Sequence, residues 1–292
     1  MKLYGHVPRT QAARLPRFPL WAGLSTLVLA ALIFSASTAA VRAGGLAERF
    51  SAHDPESSVT VDHSAWEAML KRHVVKDGDL NRVDYAAWKR ESRDELLGYI
   101  GRMEKVNVAK LSRAEQYAYW VNLYNAVTVA LILKHDPVDT IRDIDISPGF
   151  FSDGPWGAKL ATVDGVKLSL DNIEHDILRE NWDDPRVHYA VNCASIGCPN
   201  LAREAYRGET LDAQLERAAF AYIASPRGVR FDGDRVTASK IYDWYDEDFG
   251  GSEAGVIKHL RQYAEGETAE RLSGLSSIDD YEYDWSLNDV RR

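Results

Sequence analysis

The stretch Arg186-Val-His-Tyr-Ala-Val-Asn-Cys-Ala-Ser-Ile-Gly-Cys-Pro199 holds both cysteines of the chain, with a histidine, an arginine, the amide of Asn192 and the hydroxyl of Ser195. Three chemistries suit the thiols. As a nucleophile, Cys193 needs a lowered thiol pKa, supplied by a histidine, a helix N-terminus or both. As a pair, Cys193 and Cys198 could close a small disulfide loop, or cycle between thiol and disulfide. As metal ligands they lack partners at zinc spacing, although His188 and His175 could in principle be recruited, and neither metal nor cofactor is implied. Cys193 is the better placed thiol. The run Val187–Val191 reads as a strand that ends at it, whereas Cys198 precedes Pro199 and reads as a turn residue.

Two histidines could serve as its base. His188 is near in sequence, yet five residues of strand span about 16 Å, so it reaches Cys193 only if the strand ends early and the chain folds back. His175 sits on a preceding short helix and is free to approach from another element. Glu174 cannot face His175, because helix neighbours diverge by roughly 100°, but it can orient His188. Asn122 and Asn125 lie on one face of an apolar helix, where a buried amide must be hydrogen-bonded; packing is the plain reading, and holding an oxyanion or substrate the sharper one. Arg186, Asn192, Ser195 and Trp244 complete the candidate binding groups. The segment Ile241–Phe249 interleaves acids with aromatics but lacks calcium-loop spacing, and reads as a solvated turn with its rings inward.

The elements that must position these groups follow from periodicity and caps. Ser64 with Glu67, and Ser112 with Glu115, form capping boxes that open helices. A helix is expected over 85–106 between them, and the one opened by Ser112 runs to about Lys134, apolar on most sides and therefore central. Asp164-Gly165 and Asp232-Gly233-Asp234 mark two hairpins, over 159–170 and 229–237. Ser169 caps a short helix ending near Arg179, Thr210 opens another, and a last helix over 253–263 precedes a polar tail. Helices first and hairpins later give an α+β class: a helical N-terminal part packed on a small antiparallel sheet with hairpins, in a single domain.

The N-terminus and the charge bound the compartment and the partners. Lys2, Arg9, Arg14 and Arg17 precede an apolar run over 20–34 and then small residues around 38–45, the grammar of an export signal. An uncleaved anchor through residues 18–36 is the alternative, although the run falls short of the ~20 residues of a comfortable span. Residues 1–43 are thus read as signal or anchor, 44–60 as a linker and 61–292 as the domain, delivered to the periplasm or another extracytoplasmic space. Removing the five basic residues of the first 43 from a net charge of −9 leaves −14 on the exported part. Such an acid excess argues against nucleic acid as a partner.

Five ordered signatures give the chain a resemblance. They are Trp120-Val-Asn-Leu-Tyr-Asn-Ala126, Leu170-Asp-Asn-Ile-Glu-His175, Arg186–Ser195 with Cys198-Pro199, Trp244-Tyr-Asp-Glu-Asp-Phe249 and Tyr283-Asp-Trp-Ser-Leu-Asn288. Over roughly residues 60–290 the chain resembles the domain-of-unknown-function 547 family. The resemblance implies a single domain with a site near Cys193, and by analogy a distant likeness to papain-like or transglutaminase-like thiol enzymes. The resulting expectation is a cell-envelope thiol hydrolase of acyl-transfer type acting on an envelope substrate. Cys193 is its nucleophile, His175 or His188 its base, Glu174 an orienter, and Asn125 or Asn192 an electrostatic aid. A thiol–disulfide redox protein, and a non-catalytic envelope binding domain stapled by a disulfide, are the rivals.

Overall fold

A computed structural model describes residues 45–149 and 154–292; the export segment read over residues 1–43 lies outside the described residues. The described residues fall within one compact unit, Arg42–Arg292, and none of their helices is long and apolar enough to cross a membrane.

The central element is the helix Arg113–His135, every residue of which from Glu115 to Val129 is buried. Ser112 opens it as expected, its hydroxyl accepting the N–H of Glu115 at 3.3 Å. The Glu115 carboxylate does not close the box. It accepts instead the N–H groups of Val61 (2.7 Å) and Gly208 (2.9 Å), tying two distant loops to the first turn. Glycine is needed there, since a Cβ on residue 208 would meet the carboxylate at 2.6 Å.

Around this helix the N-terminal half packs Ser64–His73, Tyr85–Glu91 and Arg93–Met103. Three expectations are corrected here. A short helix, Leu46–Arg49, already lies in the stretch read as linker, and the helix Ser64–His73 opens without the Ser64–Glu67 capping box, Asp62 accepting the N–H of Ser64 at 2.9 Å. The helix expected over 85–106 breaks at Ser92, whose buried hydroxyl is drawn off to Arg72 and His73. A hairpin the periodicity did not reveal, Val74–Asp77 (β1) with Leu80–Val83 (β2), turns at Gly78, where φ is +63°.

The Asp164-Gly165 hairpin forms as expected between Ala161–Val163 (β3) and Val166–Leu168 (β4), with φ positive at both turn residues, as a tight two-residue turn requires. Ser169 caps the next helix through the N–H of Asn172. That helix is wound as a π-helix over Asn172–Arg179, a form frequent at functional sites. Val229–Asp232 (β5) and Arg235–Ser239 (β6) make the second expected hairpin, and Asp280–Glu282 (β7) adds to β6 in parallel. The helices Leu211–Ile223 and Glu253–Tyr263 stand where caps and periodicity put them. The fold is therefore α+β, mainly helical with sheets of two and three strands.

Two hydrophobic cores result. One surrounds the central helix; the other gathers Tyr189, Tyr222, Val236, Tyr242, Phe249 and Leu260 between the second hairpin and the late helices. The region after Tyr263, read as a polar tail, carries a further helix, Gly266–Ser273, and β7. It then returns across the molecule: Ile196 donates to Ser286, Gly197 to Asp284, and Asn288 to Ala194, at 2.8–3.0 Å.

Candidate functional site

The segment Val187–Val191 is not a strand. Val187–Ala190 forms a short helix after the turn Asp184-Pro185-Arg186, with Asp184 accepting the N–H of Arg186 at 2.9 Å. A short, wholly buried apolar run has no periodicity that separates strand from helix. The correction matters for the chemistry. Helical winding shortens the path from His188 to Cys193, and both side chains line one cavity of about 320 Å³.

The loop after this helix is shaped by amides. Asn125 donates to the carbonyl of Ala190 (2.9 Å) and accepts the N–H of Asn192 (2.8 Å); Asn192 in turn donates to Pro199 and accepts from Ala194. Asn122 brackets Tyr206 in the same way. All three amides are buried and committed to scaffold, and the cavity is lined by others. Arg186 is likewise committed, to Asp184 and Asp212. Ala194 holds a left-handed φ of +62°, a strained conformation for a residue with a Cβ, directly after Cys193.

Both thiols are free. The sulfurs lie 3.0 Å apart, well beyond the ~2.05 Å of a disulfide. Besides Cys198, the Sγ of Cys193 meets the hydroxyls of Tyr283 at 2.9 Å and Ser195 at 3.2 Å, and these two hydroxyls are 2.8 Å from each other. The hydrogen bond between the two sulfurs is the main cause holding the Cys193 thiol below its ordinary pKa; burial opposes it, Ser195 and Tyr283 add to it, and the Glu174 charge opposes it. Burial pushes Cys198 the other way, well above the usual thiol range, so Cys193 is the more acidic of the two thiols. Among the described residues, neither imidazole is hydrogen-bonded to the Cys193 sulfur.

His188 is buried and stacked on Tyr245, with ring centroids 4.3 Å apart. Its Nε2 is 2.6 Å from Asp248 Oδ2, and its Nδ1 is 3.7 Å from Glu174 Oε1. Glu174 thus does face His188, but the closer orienter is Asp248. Arg179 grips the same carboxylate through two nitrogens, at 2.6 and 2.9 Å. Burial alone would raise the Asp248 carboxyl, but the hydrogen bonds from His188 and Arg179 outweigh it and hold the group well below the carboxylate range. His175 stands beside Arg179 (3.3 Å) and Asp171 (3.9 Å) at the cavity wall. Tyr124 from the central helix lines the cavity and faces Glu174.

Aromatic rings make the opposite wall. Tyr283 lies between Trp285 (centroids 4.6 Å) and Trp244 (4.9 Å), and Trp156 meets Trp285 at 5.7 Å. Trp244 is 42% exposed and forms the open rim. No group of three or more His, Cys, Asp or Glu among the described residues is arranged to hold a metal ion.

Residues 108–223 match the family model described as "Protein of unknown function, DUF547". No curated protein and no solved structure matches the chain. The DUF547 match supplies Tyr124, Glu174, His175, His188, Cys193 and Cys198, but ends before Asp248, Tyr283 and two of the tryptophans. Asp248, Arg179 and Tyr283 are the groups that residue-by-residue reading missed. Asp248 was one of four acids in a run with no spacing to single it out. Tyr283 stood in the sequence only as part of the last signature of the resemblance.

Proposed function

We propose that the chain is an exported thiol enzyme of acyl-transfer type, acting in the periplasm or another extracytoplasmic space on an amide, ester or thioester of the envelope. The observation that supports it best is the lowered pKa of Cys193 at a cavity shared with the His188–Asp248 pair. The thiol proton of Cys193 passes by way of solvent to the imidazole of His188, the sulfur attacks the carbonyl carbon, a C–S bond forms, and the carbonyl electron pair moves to oxygen. Re-forming the carbonyl expels the leaving group, which takes a proton from the imidazole of His188. Water then gives its proton back to His188 as it attacks the thioester, and the acid departs from Cys193. Turnover of a small panel of thioesters and activated esters by the native chain and by Cys193→Ser is the test. Loss of every activity in the variant supports the reading, and equal rates in both would end it.

The 3.0 Å approach of the two sulfurs favours a second reading, thiol–disulfide exchange, in which Cys193 attacks a partner's disulfide and Cys198 resolves the mixed disulfide. A measured reduction potential separates the two. A potential below about −300 mV would mark a bond too stable to cycle.

A further inference from the structure

A thiol enzyme must stabilise the negative charge that arrives on the carbonyl oxygen, and backbone N–H groups beside the nucleophile are the usual donors. In this loop they are already spent among the described residues, save that of Ser195, a residue that does not line the cavity. The amide of Cys193 donates to Cys198 Sγ, that of Ala194 to Asn192, Ile196 to Ser286, Gly197 to Asp284, and Cys198 to Ser195. A donor for a new oxyanion must therefore come from a side chain. One hydroxyl that already touches the reacting sulfur also borders the cavity, that of Tyr283.

We propose that Tyr283 is a catalytic hydrogen-bond donor, which holds the resting Cys193 sulfur and then turns its O–H to the oxyanion formed when that sulfur attacks. The second half rests on the acyl-transfer reading; the first half does not. As the C–S bond forms, charge leaves sulfur for oxygen, and the phenol follows it without giving up its proton. Burial, reinforced by the charge on Cys193, pushes the phenol well above its usual pKa, so it stays a donor. Ser195 orients it from 2.8 Å, and its flanking tryptophans fix the ring. Gly197 keeps the strap close: a Cβ there would meet the Asp284 nitrogen at 2.8 Å.

Other titratable groups also surround the sulfur. Glu174 opposes the thiolate, Cys198 favours it, and Tyr124, Tyr245 and Tyr85 feel its charge from three further elements. Removing Tyr283's oxygen must therefore act against that constant background. The experiment is the pH profile of iodoacetamide alkylation at Cys193, read by mass spectrometry on the full chain, with acylation by a thioester measured in parallel. In Tyr283→Phe the alkylation midpoint should move to higher pH. Alkylation below that midpoint should slow about tenfold, the loss of one hydrogen bond to a charged group. Acylation should fall about a hundredfold with KM little changed. An alkylation profile that overlays the native one overturns the proposal. A shifted profile with undiminished acylation overturns its oxyanion half. A native chain that alkylates but never acylates removes the acyl-transfer reading, and with it that half, while leaving the sulfur contact supported. Should Tyr283→Phe fail to fold, 3-fluorotyrosine at position 283 is a stronger donor of nearly the same size. It must move the midpoint to lower pH, and no movement overturns the proposal.

Discussion

The two sides of the cavity are built in different ways. The floor, with Cys193, Cys198, His188 and Tyr124, comes from the DUF547-matched segment and is fixed by buried amides that belong to that same segment. The roof, with Trp244, Tyr283 and Trp285 on the cavity and Asp248 behind it against His188, comes from the chain after the second hairpin and from the C-terminal segment, and reaches the floor through contacts that leave the matched segment. The floor holds the reactive groups in register. The roof supplies their orienter, a hydroxyl and the aromatic wall. The lowered pKa of Cys193 thus draws on both sides, on Cys198 and Ser195 of the floor and on Tyr283 of the roof.

The sharpest way to break the floor is Asn125→Ala. It leaves the Asn192 N–H and the Ala190 carbonyl buried without partners, so stability should fall by about 2–4 kcal/mol in denaturant melts. A loss under about 1 kcal/mol would mean that the loop holds itself. Asp248→Asn tests the roof. Turnover should drop at least about a hundredfold as His188 loses its orienting charge, with Cys193 alkylation unchanged because no imidazole touches the sulfur. Parallel loss of both would join the two sides into one unit.

One histidine from each core gives a milder comparison. His63, against Tyr99, and His259, against Tyr189, are both held by burial at a pKa of about 4, below the ordinary 6.5. In each case the unfolded chain takes up the proton first. Their contribution to stability is therefore full above pH 6.5 and is lost as pH falls toward 4. Thermal melts across that window should slope downward with acid, and His259→Gln should flatten the slope only in part, because His63 still contributes. A slope unchanged in His259→Gln would place the whole effect in the first core. Trp244→Ala should have the smallest effect, raising KM a few-fold with stability within about 0.5 kcal/mol, as befits an exposed rim residue.

The floor was also the side legible in sequence. Cys193 stood out by its neighbours, the central helix by its cap and apolar surface, and both hairpins by their Asp-Gly turns. Three features were not legible. Val187–Ala190 is buried on all sides, so its residues carry no period, and its last carbonyl is held by Asn125 of another helix. Asn125 and Asn122 read equally as scaffold or as site, because only geometry shows where a buried amide's partners are. The strap after Glu282 has the composition of a tail, and its Tyr283 gains a role only when hydrogen bonds from residues 196 and 197 draw it over the sulfur.

The central claim, that Cys193 is the more acidic thiol of the pair and owes this first to its contact with Cys198, is tested most directly by competitive alkylation of the reduced native protein, with the two cysteines quantified separately as pH is raised. Cys193 should label first, with its midpoint below that of an ordinary thiol, and Cys198 should resist until the protein unfolds. Equal labelling of the two, or a Cys193 that stays inert while Cys198 reacts, would contradict it.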